Sequence, residues 1–171
     1  MKTDSFYQII QALEAANVRY LVAGGLAVGA HGHLRYTKDA DIVADLTSGN
    51  IAALFGALAT LGYRPLVPVT AAQFGDAVLR EAMIREKGMQ VLQFFSDRHR
   101  ETPVDVFVQI PFVFDEEYPR ALSKPFATGA IVRFVSLPTL IRMKEIAGRT
   151  QDLLDVAQLR AMIDDDEPSL P

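Results

Sequence analysis

Residues 20–44, YLVAGGLAVGAHGHLRYTKDADIVA, decide how this chain is read. Arg19–Ala23 predicts a short strand with a buried centre. Gly24-Gly25 breaks it, and Leu26–His31 then reads as a short helix. Asp41–Asp45 predicts a second strand, bounded by the turn residues Thr47, Ser48 and Gly49. Glycines between a strand and a helix let a backbone approach a ligand closely, and the free N–H groups of the helix start suit a phosphate. A tight turn that needs only small residues is the commoner explanation of an isolated Gly-Gly.

Asp39-Ala40-Asp41 opens the second strand. Side chains alternate across a strand, so these two carboxylates share one face. Side by side they repel, and one pKa rises unless a cation intervenes. Mg²⁺ resolves the conflict, because it takes carboxylate oxygens while keeping waters and substrate phosphates. The plainer alternative is two solvated acids at a loop end. Ile42-Val43-Ala44 follow directly, however, so the pair borders a buried strand. A third acid, Asp105, stands among Val104, Val106, Phe107 and Val108. An acid in an apolar strand is costly unless it is paired, metal-bound or turned to water at an edge. If it faces the same cleft, three carboxylates can hold two Mg²⁺ ions and polarise a nucleotide α-phosphate.

Outward from this stretch, apolar spacing predicts helices over 4–16 and 50–61, closed by Asn17 and Gly62. Tyr63–Leu66 reads as an edge strand limited by Pro65 and Pro68. Thr70 caps a helical stretch to Lys87, broken near Gly75. Met89–Phe95 and Val104–Ile110 predict an antiparallel pair joined by the polar turn Asp97–Thr102. Residues 111–129, rich in proline and charge, read as a loop, and Ala130–Val135 as a last strand. Ser136-Leu137-Pro138 starts a helical segment over 136–163, split at Gly148. An acidic, frayed tail is expected over 164–171. Strands and helices mixed without strict alternation predict one α/β or α+β domain over 1–171, with a sheet-containing core over 1–135.

The 171 residues are half apolar, enough for a core without disulfide or metal. The absence of cysteine excludes thiolate catalysis and Cys-ligated metals. A net charge of −4 argues against a broad basic footprint for duplex nucleic acid. Neither a signal-peptide pattern nor a membrane-length apolar run is visible, so a cytoplasmic protein without a membrane partner is expected.

Gly24-Gly25, thirteen intervening residues (26–38), then Asp39-Ala40-Asp41-Ile42 resembles the signature of the DNA polymerase β-like nucleotidyltransferase superfamily. Asp105 matches the third acid of that pattern in type and setting. Val22–Ala27, His31-Gly32, Arg35 and Thr37 narrow the resemblance to the bacterial abortive-infection (AbiEii-like) nucleotidyltransferases, which include toxins of toxin–antitoxin pairs. Lys144–Arg149 and Asp152-Leu153-Leu154-Asp155 are similar to the C-terminal helical signature of that group.

The resemblance covers most of residues 18–160. It implies a minimal nucleotidyltransferase fold, a twisted mixed sheet flanked by helices, with C-terminal helices after it. It implies transfer of a nucleoside monophosphate from an NTP to an acceptor hydroxyl on tRNA or other RNA, protein or a small molecule. Asp39 and Asp41 would bind two Mg²⁺ ions, with Mn²⁺ as a substitute. Asp105 would complete the site and take the acceptor's proton. Gly24 and Gly25 would cradle the triphosphate, Lys144 would place a point charge on it, and Arg35 and Thr37 could reach phosphate or acceptor. An antitoxin is the implied protein partner.

The plainer readings stand beside these. Arg35 can be a surface-loop residue, and Arg149, Asp152 and Asp155 can form an ion-paired helix junction. Asp45 reads as the strand's solvated end, and Arg80, Arg85, Lys87, Arg98, His99 and Arg100 either as a local basic patch for an RNA or other anionic acceptor or as ordinary exposed helix and turn charges. The competing function is a non-catalytic binding or regulatory protein that keeps the fold.

Asp39→Asn or Asp41→Asn is expected to abolish nucleotidyl transfer while leaving the circular dichroism spectrum unchanged. Turnover retained in either variant would reject the two-carboxylate assignment.

Overall fold

A computed structural model describes residues 1–125 and 129–166, with side chains through Ile163. Its centre is the strand β2 (Ala40–Ala44), flanked by β1 (Tyr20–Val22) and β5 (Val104–Phe107). The seven-stranded sheet runs β3-β4-β5-β2-β1-β7-β6. The remaining strands are β3 (Arg64–Pro65), β4 (Val91–Phe95), β6 (Leu122–Pro125) and β7 (Ile131–Phe134). β2 runs parallel to β5 and β1 parallel to β7, while the other pairs are antiparallel. This is the mixed sheet with flanking helices expected from the sequence.

Alternation fixes the two faces. Ala40, Ile42, Val104, Val106, Leu92 and Phe94 are buried on one of them. The helix α1 (Thr3–Ala15) packs on α3 (Ser48–Thr60) beneath the sheet, burying Phe6, Ile9, Ile10 and Leu13 with Ile51, Leu54 and Leu58. Each such side chain contributes about 1.5–3 kcal/mol on leaving water. Asn17, at φ 52°, ends α1 in the left-handed conformation that asparagine tolerates.

The helix α2 (Gly24–Ala30) begins on the two glycines themselves rather than after them. A capping box on Thr70 starts α4 (Ala71–Gly75), and Asp76 caps α5 (Ala77–Lys87), so the predicted break near Gly75 is present. β5 stops at Phe107, three residues short of the predicted Ile110.

Residues 111–129 are not a plain loop. They hold a helical turn, α6 (Phe114–Glu117), a 3₁₀ turn at Tyr118–Arg120, and β6. β6 is an exposed edge strand ending in Pro125, so it carries no buried alternating residues that a sequence pattern could reveal.

The C-terminal pair is α7 (Leu137–Ala147) and α8 (Thr150–Asp166), with Gly148 at φ 62° ending α7. α8 runs three residues beyond the predicted end at 163, and the rest of the expected frayed tail, 167–171, lies outside the described residues. No helix among the described residues is long and apolar enough to cross a membrane.

Glu117 ties this missed segment to α7. Its buried carboxylate accepts from Ser136 N at 2.6 Å, Ser136 Oγ at 3.1 Å and Thr139 Oγ1 at 2.6 Å, satisfying the helix start. Glu117→Ala is expected to destabilise the fold by about 2–3 kcal/mol, which lowers Tm by about 5–10 °C in thermal melts.

Candidate active site

Register puts three polar residues in one row on the face opposite the apolar core. Asp41 of β2 stands beside Asp105 of β5, and Asp105 stands beside Gln93 of β4. Asp39 precedes β2 by one residue and shares the side of Asp41 by parity. The structure therefore brings the three sequence-predicted acids to one end of one face.

Burial pushes the Asp41 carboxyl up to about 6, and the charges of Asp105 and then Asp39 push in the same direction. Lys144 and Arg149 are near enough to oppose this partially. Burial also raises Asp105, with Asp39 adding to it and a hydrogen bond from Gln93 opposing it. That bond runs from Gln93 Nε2 to Asp105 Oδ1 at 2.9 Å. Gln93 was not singled out from the sequence. Its signal was a polar residue between two buried ones, Leu92 and Phe94.

The glycines are needed for close packing against the site's own side chains. Gly24 has φ +60°, and a Cβ there would lie 1.8 Å from Asp41 Oδ2. A Cβ on Gly25 would lie 2.8 Å from Thr37 Cβ and 3.6 Å from Arg35 Cζ. Ala23 N donates to Asp41 O at 2.9 Å, which fixes the turn against β2.

Arg35 and Thr37 lie on the extended stretch between α2 and β2. Thr37 Oγ1 donates to Asp39 O at 3.3 Å, and the Met1 ammonium donates to Thr37 O at 3.2 Å. His31 Nε2 is 2.9 Å from Val135 O, so this histidine holds the stretch to the sheet. The Arg35 guanidinium donates to Asp155 Oδ2. Lys144 Nζ donates to that same oxygen at 2.6 Å and to Asp152 Oδ1 at 3.0 Å. Both Lys144 and Asp155 are buried. Burial pushes the Asp155 carboxyl up, but hydrogen bonds from Lys144 and Gln151 and the charges of Lys144 and Arg35 hold it below its ordinary value. Asp152 Oδ2 is buried without a hydrogen bond, and Arg149 Nε stands 3.9 Å from it. The ion-paired junction of α7 and α8 is thus Lys144 with Asp152 and Asp155; of the expected trio, Arg149 stays exposed at its edge and makes no pair with Asp155.

Other charges fall away from the row. Asp45 pairs with Arg19 at 2.7 Å. Arg80 Nη1 donates to Phe74 O, and Arg85 pairs with Glu86. Arg100 is the exception: with Asp39 itself, Tyr36, Lys38 and Glu101 it lines a cleft of about 430 Å³.

No three acidic or imidazole groups among the described residues converge closely enough to hold an ion as they stand. The donor chemistry nevertheless fits a hard divalent cation. The groups are all oxygen donors, they share a face, and they repel one another in its absence.

A carboxyl whose pKa is raised by folding lends stability that is full below the ordinary value of 3.8 and is lost as pH rises through about 6. At about pH 8 the charge on Asp41 works against the folded state, so Asp41→Asn is expected to raise Tm there by about 3–10 °C. That advantage should shrink as pH falls from about 6 to about 4. Melts over this range check it, and an advantage that stays flat would contradict the assignment.

No protein-family model matches the sequence, and no curated protein matches it. Solved structures do. The antibiotic-resistance factor ANT(2'')-Ia in complex with adenylyl-2''-tobramycin superposes with a TM-score of 0.59 at 14% identity, over 94% of this chain and 88% of that one. The solution structure of ANT(2'')-Ia gives 0.61 at 14% identity, over 95% and 86%. The lincosamide antibiotic adenylyltransferase LnuA, with lincomycin bound, gives 0.63 at 13% identity, over 94% and 97%. At such identity the likeness establishes the fold: this chain shares the fold of these proteins along nearly its whole length.

Proposed function

We propose that the chain is a metal-dependent nucleotidyltransferase, moving a nucleoside monophosphate from an NTP to an acceptor hydroxyl. The observation that carries this reading is the row of Asp41 and Asp105, with Asp39 beside it, on the strand face opposite buried Ala40, Ile42, Val104 and Val106. The fold shared with adenylyltransferases supports it.

Asp39, Asp41 and Asp105 would hold one or two Mg²⁺ ions, or Mn²⁺. The ions would supply positive charge to the α-phosphate and the leaving pyrophosphate. Asp105 takes the proton of the acceptor hydroxyl, whose oxygen bonds to the α-phosphorus while the bond to pyrophosphate breaks. Gly24 and Gly25 would lie beside the triphosphate at the start of α2, their missing side chains giving room to Asp41, Thr37 and Arg35. Lys144, buried and paired with Asp152 and Asp155, acts on Asp41 through its field, and Arg35 is held beside Lys144 by Asp155. Thr37 fixes the backbone of Asp39.

A small-molecule hydroxyl is the acceptor class with most support. The net charge of −4 offers no broad basic surface, and the structural neighbours were solved with adenylyl-2''-tobramycin and lincomycin. An RNA end or a protein is the alternative acceptor. A toxin-like role with an antitoxin partner rests on the resemblance of Val22–Ala27, His31-Gly32, Arg35, Thr37, Asp39 and Asp41, together with Lys144–Arg149 and Asp152–Asp155, to the abortive-infection enzymes.

NTP binding by calorimetry, with and without Mg²⁺, tests the reading on wild type and on Asp39→Asn/Asp41→Asn. Metal-dependent binding is expected in the wild type and its loss in the double variant. Failure of the wild type to bind any NTP would favour the non-catalytic binding protein instead.

A further inference from the structure

We propose that Gln93 is a positioning residue for Asp105, holding one carboxylate oxygen so that the other is presented to a divalent cation; this rests on the nucleotidyltransferase reading. The pairing is built into the sheet. Gln93 and Asp105 are directly opposite in the antiparallel β4–β5 ladder, and Nε2 donates to Oδ1 at 2.9 Å. No other hydrogen bond reaches the Asp105 carboxylate among the described residues.

The rest of β4 shows that a polar side chain is not required there for solubility. Val91 and Phe95 share the face of Gln93, and both are apolar. Only the position opposite Asp105 is polar. The chemistry of the donor also matters. A lysine or arginine would fix Asp105 equally well, but its charge would neutralise the acid and repel a cation. A glutamate would add a fourth like charge to the row. A neutral amide restricts the carboxylate and leaves the negative potential of the site intact. Groups that orient metal-binding side chains in this way typically change metal affinity by roughly 10–100-fold.

The test measures Mn²⁺ binding by the nucleotide-free protein, read from the electron paramagnetic resonance signal of the free ion. Gln93→Met keeps the side-chain length and removes the donor. It is expected to weaken Mn²⁺ binding roughly 10–100-fold with an unchanged melting curve. In an Asp105→Asn background the same substitution is expected to change affinity by less than about twofold, because the two residues act as one unit. Gln93→Glu, which keeps the shape but cannot donate as a carboxylate, is expected to lose the restraint as well.

Affinity of Gln93→Met within about twofold of wild type would overturn the proposal. So would an undiminished effect of Gln93→Met in the Asp105→Asn background. Wild-type Mn²⁺ binding without turnover of any NTP rejects the transferase reading alone, and the double-variant cycle then decides Gln93. Absence of Mn²⁺ binding by the wild type overturns both.

Discussion

Like charges stay together on one face of this sheet because the opposite face of the same strands is apolar and buried. Ala40, Ile42, Val104 and Val106 pull β2 and β5 into register, and that register sets Asp41 beside Asp105. A slip by one residue would turn the acids into the core and the valines to the surface. The repulsion among the acids is thus opposed by apolar burial elsewhere in the same strands. Burial first, and then the charges of Asp105 and Asp39, hold the Asp41 carboxyl above its ordinary value. Gly24 meets the same constraint from the other side, since any side chain there would occupy the place of the Asp41 carboxylate.

Around that row the polar groups divide into two kinds. Gln93 and Thr37 are neutral and restrain the site without altering its charge. Lys144 and Arg35 are cationic and are held back from direct contact with the acids of the row by Asp155, which binds both. A buried carboxylate shared by two cations is itself stable only as a complete unit, because removing one partner leaves an uncompensated charge in an apolar setting. The field at Asp41 therefore depends on how α7 and α8 pack as well as on local sequence.

Much of this was legible beforehand where side-chain type and period agreed. The Gly24-Gly25 turn, Asp39 and Asp41 at the strand start, and Asp105 between valines are all local patterns, and period two puts Asp41 and Asp105 on the face opposite Ala40, Ile42, Val104 and Val106. The helix junction of Arg149, Asp152 and Asp155 was one of two open readings, and its ion pairs needed the three-dimensional packing of α7 on α8. β6 left no signal, since an exposed edge strand buries nothing at alternate positions. Gln93 was missed for a different reason. A glutamine in a strand is unremarkable until its cross-strand neighbour is known, and pairing register is not written in either strand by itself. The link from Glu117 to the start of α7 is equally non-local.

The bond between Arg35 and Asp155 joins residues 120 positions apart. Asp155 lies on α8, far along the chain from Arg35 and after Lys144. On a ribosome, the central strands can pair and gather the acids before α8 has been synthesised. During that interval the nascent chain would hold a collection of carboxylates without the joint that organises its cations. During synthesis, Arg35 and Lys144 therefore have no Asp155 to bind until α8 has emerged.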